Sequence, residues 1–88
     1  MKEKLCDLEK TNFELGVRKM QDKRFGEAIF RFRIVKKFWP KNHQAHIHLI
    51  ECLILKNKLK KAQLIADELI AKDQKYAAKI SQIIQNKK

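Results

Sequence analysis

The sequence predicts an all-α fold, a short solenoid of two helical hairpins closed by a capping helix, and three observations carry that expectation. Gly occurs twice and Pro once in 88 residues, so helix breakers are scarce among the abundant Leu, Ala, Lys, Gln and Glu, all good helix formers. Apolar residues recur with the 3.6-residue period of a helix in five successive stretches. Two of the stretches also share one spacing: Phe25, Ala28 and Phe32 are matched 34 positions later by Leu59, Ala62 and Ala66. Such a period belongs to stacked helical hairpins, an architecture that binds partners and seldom does chemistry.

Each element has its own signal. The first helix covers roughly Lys4 to Gln21, with Leu5, Leu8, Leu15 and Val17 on its apolar side. Residues 22–26 turn the chain. The second helix runs from about Phe25 to Phe38, with Ala28, Ile29, Phe32 and Val35 on one face, and ends before Pro40, which disfavours helical geometry in the residue preceding it. Asn42 caps a third helix whose apolar positions are Ile47, Leu49, Ile50, Leu53 and Ile54. A turn at Lys56-Asn57-Lys58 leads to a fourth helix, about Leu59 to Ala71, which buries Leu59, Ala62, Ile65, Ala66, Leu69 and Ile70. Asp73 caps a short fifth helix in which Ile80, Ile83 and Ile84 form a narrow stripe before a lysine-rich end. Ala28 and Ala62 let the helices of each hairpin approach closely. Gly16 supplies the complementary gap in the first hairpin, and Ile50 at the equivalent place implies a wider or rearranged second one.

Composition narrows the function. The formal charge of +11, from 21 basic and 10 acidic residues, favours acidic proteins, nucleic acid or anionic lipid as partners. Of the basic residues 17 are Lys and 4 are Arg, a bias that an AT-rich genome would also produce. No apolar run approaches the roughly 20 residues of a membrane span, because Ile47 to Leu55 is interrupted by His48 and Glu51. The first seven residues lack the apolar core of an export signal, so a cytoplasmic location is the expectation. Cys6 and Cys52 form no CxxC pair and are expected to be free thiols acting as small apolar residues.

Leu15-Gly16, Phe25, Ala28, Phe32, Phe38 and Pro40 together resemble the signature of the tetratricopeptide repeat. The first repeat would span about residues 9–42, the second about 43–76, and a solvating cap helix about 77–86, within a single domain over 1–88. The first repeat departs from the pattern at Asn12, Lys19 and Val35. The second is more degenerate, with Gln74 in place of the proline. The resemblance implies a short right-handed α-solenoid. Two repeats are fewer than the three that ordinarily bury a continuous core, which points to help from a partner, self-association or a larger assembly. The polar final turn argues against continuation beyond Lys88.

In the family, the first helix of each repeat lines a concave groove that receives a peptide or a helix. By position, that groove would present Lys10, Phe13, Val17, Met20 and Gln21 from the first repeat and Gln44, Ile47, Glu51 and Ile54 from the second. Lys41 and Asn42 would stand at the junction. The Lys and Asn that grip acidic chaperone tails in one subtype are replaced by Phe13 and Val17, so a carboxylate clamp is not expected. The hairpin turns would lie side by side and form a basic rim of Lys19, Lys23, Arg24, Lys56, Lys58, Lys60 and Lys61, suited to an acidic segment or to phosphates.

Phe30 and Trp39 are candidate exposed anchors among Arg31, Arg33, Lys36 and Lys37, an interleaving that can also bind single-stranded nucleic acid. His43 and His46 share a helix face, and His48 and Cys52 could supply two metal ligands, but with no third or fourth no metal or other cofactor is expected. No glycine-rich phosphate loop, paired-carboxylate site or nucleophile motif is present, so no enzymatic activity is expected. The reading is a protein-interaction adaptor or small chaperone-like module that binds an acidic or amphipathic segment of a partner protein. Nucleic-acid or anionic-surface binding and a structural role in a homodimer or larger complex are the alternatives.

Overall fold

The structure is a computed structural model that describes residues 2–86, with side chains over 7–85. Helix α1 covers Lys2–Gln21, α2 Phe25–Phe38, α3 His43–Leu55, α4 Leu59–Lys72 and α5 Ala77–Asn86, with one 3-10 turn at Gln74–Tyr76 ahead of α5. Asp73 therefore caps the 3-10 turn, its carboxylate accepting from the Lys75 N–H at 3.2 Å, and α5 begins beyond it. Leu5 and Cys6, expected on apolar helix faces, and Lys87 and Lys88 of the lysine-rich end lie outside the described side chains.

The 34-residue period is repeated in the backbone bonds. Leaving α1, the Arg24 N–H donates to the Lys19 carbonyl at 2.8 Å and the Lys23 N–H to Met20 at 2.9 Å. Leaving α3, Lys58 donates to Leu53 at 2.7 Å and Asn57 to Ile54 at 2.9 Å. Both turns are Schellman motifs, which place one residue in left-handed geometry. That residue is Lys23 (φ 63°) in the first and Asn57 (φ 61°) in the second. Further along, Trp39 donates to Val35 and Asp73 to Leu69 as α2 and α4 end. One hairpin design thus occurs twice.

Packing follows the same register with the sizes exchanged. A Cβ built on Gly16 would lie 2.7 Å from Phe32 Cε1 and 2.8 Å from Cζ, so the gap at Gly16 admits the Phe32 ring rather than Ala28. In the second hairpin Ile50 stands where Gly16 stood and Ala66 where Phe32 stood, and both are fully buried. Large and small have changed places across the seam. Full burial of a side chain the size of Phe32 contributes about 1.5–3 kcal/mol.

The core gathers Ala28, Phe32 and Val35 from α2, Leu49, Ile50, Cys52 and Leu53 from α3, Ala62, Ala66 and Leu69 from α4, and Ile80 from α5. Helix α3 is the central element, packed against α1, α2, α4 and α5. Some expected core positions differ. Leu59 and Leu8 are exposed, and Leu15 is only partly covered.

Candidate partner-binding surface

The face shared by α1 and α3 was expected to be a concave groove lined in part by Ile47 and Ile54. Ile47 is 2 % and Ile54 8 % exposed, so both belong to the core. The cause is their place in the array: α3 packs against both α1 and α5, whereas among the described residues α1 packs against α2 and α3 alone. Phe13 and Met20, which stand 34 positions before Ile47 and Ile54, are accordingly half-buried, as is Val17. Phe13 packs edge-on to Phe32 at 5.8 Å and against His48 at 5.6 Å.

Asn42 is also committed to structure. Its side-chain oxygen caps α3 by accepting from the Ala45 N–H at 3.1 Å, and its amide donates to Glu9 Oε2 at 2.9 Å. Glu51 is paired with His48 at 3.0 Å. Lys10, Gln21, Lys41 and Gln44 remain exposed. What this face exposes most fully is polar, with Phe13, Val17 and Met20 partly exposed beside it.

The basic rim divides in two. Lys19 and Arg24 each reach Glu27 at 3.6 Å, so the first turn is partly neutralised, and of its cations Lys23 makes no ion pair among the described residues. Lys56, Lys58, Lys60 and Lys61 in the second turn form no ion pair among the described residues. Three of these, Lys56, Lys58 and Lys61, border a cleft of about 960 Å³ between α2 and α4.

That cleft was not anticipated. Its floor is Leu49 and Leu53 of α3, its α2 wall holds Ile29, Phe30 and Ile34, and its α4 wall holds Leu64 and Ile65. Phe30 is 59 % and Leu64 64 % exposed, a large apolar area to leave in water. The two are 34 residues apart, the same place in both hairpins. Arg33 and Lys37 add charge on the α2 side, and the Lys36–Glu68 pair at 3.3 Å joins the two walls near their C-terminal ends. Six basic residues and one acidic residue line the cleft.

The two aromatic anchors part company. Phe30 is exposed, with the Arg31 guanidinium 5.6 Å from its ring centre. Trp39 is instead half-buried against the core, and its neighbour Phe38 is the exposed ring, with Lys37 5.7 Å from its centre.

Buried titratable groups serve the core. Burial pushes the His46 imidazole below its ordinary value; its Nδ1–H donates to the Asn42 carbonyl at 3.0 Å, which opposes the shift, while Lys36, Lys72 and His43 add to it. Burial, helped by Glu51, raises the Cys52 thiol to about 12, which keeps it protonated and unreactive. His43 meets the Tyr76 hydroxyl at 3.3 Å, tying α3 to the 3-10 turn. Among the described residues no three His, Cys, Asp or Glu side chains stand together as metal ligands.

The sequence model of the tetratricopeptide repeat family matches residues 19–83. The chain belongs to that family, whose helical repeats generally mediate protein–protein interaction and are typically non-catalytic. No curated protein and no solved structure matches it. Among the described residues no helix is long and apolar enough to cross a membrane.

Proposed function

We propose that this chain is a non-catalytic protein-interaction module that takes an acidic segment of a partner protein. The observation that carries this reading is the company kept by its exposed apolar side chains. Phe30, Phe38 and Leu64 stand in water beside Arg33, Lys37, Lys58 and Lys61, none of which makes an ion pair among the described residues. Apolar contact would then supply affinity, and the lysines would speed encounter and exclude basic competitors.

Nucleic acid is a weaker fit to the same residues. Much of the cleft's apolar lining belongs to Leu64, Ile34 and Ile65, which have no ring on which a base could stack.

The test is affinity capture by the immobilised chain from native lysate, with and without nuclease. A discrete protein retained after nuclease treatment and released by salt is the expected result. Loss of all bound material with nuclease would replace this reading with nucleic-acid binding.

A further inference from the structure

We infer that the occupant of the α2/α4 cleft is an amphipathic α-helix carrying acidic residues along both flanks of its apolar stripe. This rests on the reading of the chain as a protein-interaction module and places the contact away from the α1/α3 face, where family resemblance puts it.

A helix is favoured over an extended peptide by the chemistry of the walls. An extended segment needs partners for its own N–H and C=O groups. Beyond the first turns of α2 and α4, the cleft walls are helices whose backbone groups are already bonded within each helix, and the lining side chains there are aliphatic, aromatic or charged. A bound helix satisfies its backbone internally and asks only for apolar contact.

The dimensions agree. α2 has 14 residues, a length of about 21 Å at ~1.5 Å per residue, room for a partner helix of about four turns. Its apolar stripe would lie on Phe30, Ile34 and Leu64 over the Leu53 floor.

Charge fixes the rest. Arg33 and Lys37 flank the floor on one side, Lys58 and Lys61 on the other, so carboxylates on both edges of the incoming helix find cations. A second copy of this chain is a poor occupant, since each copy carries +11 and like charges oppose docking.

The test uses the full chain and a designed, fluorescein-labelled peptide of about four helical turns, with a leucine stripe flanked by glutamates. The control has the same composition permuted to destroy the stripe, and binding is read by anisotropy. The striped peptide is expected to bind at least about tenfold tighter than the control. Leu64→Asp, at an exposed position that does not support the core, is expected to weaken it by about tenfold or more.

The Lys58→Glu/Lys61→Glu chain should do the same and serves if Leu64→Asp misfolds. Gln21→Glu/Gln44→Glu on the α1/α3 face should leave affinity within about twofold. Equal binding of the two peptides, or no binding of the striped one, overturns the inference. Loss confined to Gln21→Glu/Gln44→Glu overturns the cleft while leaving the protein-interaction reading intact. That reading fails separately, when nuclease removes all captured material.

Discussion

Two glycines in neighbouring helices should respond oppositely to one added methyl group. At Gly16 the methyl would meet the ring of Phe32, which is fully buried and has nowhere to turn. Overpacking of this kind costs about 1–3 kcal/mol, against about 1 kcal/mol gained by removing a glycine from a helix interior. Gly16→Ala is therefore expected to lower the melting temperature. At Gly26 a Cβ meets nothing within 4 Å, so Gly26→Ala should stabilise the chain by about 0.5–1 kcal/mol. Thermal melts of the two variants decide it; a shift of the same sign in both would contradict the packing described.

His46 makes a second prediction at this scale. Its folded-state pKa lies below the ordinary 6.5 because burial disfavours the charged ring. As pH falls through that value the unfolded chain takes up a proton that the native state still refuses, so stability declines on acidification. His46→Phe keeps an apolar ring in the core and removes the proton site. The acid-induced drop in melting temperature should become shallower, and an unchanged slope would show that His46 is not its source.

At the scale of elements, the turns and faces show what could be read in advance. The helices were legible because each carries a 3.6-residue stripe and a usable boundary, Pro40 and Asn42 being the clearest. The Schellman turns were not, because neither left-handed position is a glycine. A lysine there costs about 1–2 kcal/mol that glycine avoids, so Lys23→Gly should stabilise the first hairpin by about 0.5–1 kcal/mol after the entropy of an added glycine is offset. Chemical denaturation measures this directly, and a loss of stability would mean that Lys23 makes contacts outweighing its backbone strain.

The burial of Ile47 and Ile54 was not legible because the register of one repeat cannot say which neighbours pack on its first helix; here α3 has α1 and α5 against it as well as α2 and α4. The cleft has a signal in the sequence, of which Phe30 is one half. Phe30 and Leu64 are apolar residues off the stripes of their helices and sit at the same position in both hairpins. An apolar residue outside the core stripe is ordinary, but the same departure repeated after 34 residues marks a surface.

For the whole molecule, the charge of +11 acts on folding and on binding in opposite directions. Self-repulsion destabilises the compact state, and salt shortens its range from about 30 Å at 0.01 M to about 8 Å at 0.15 M. Raising salt over that interval should therefore raise the melting temperature while slowing association with an acidic partner. If the melting temperature fell instead, the net charge would not be a source of strain.

The most direct measurement is an amide NMR titration of the full chain with the striped acidic peptide. Shifts are expected to concentrate at Gly26, Phe30, Arg33, Lys61 and Leu64, along the two walls of the α2/α4 cleft. Shifts confined instead to Lys10, Gln21 and Gln44 would contradict that expectation and return the binding surface to α1 and α3.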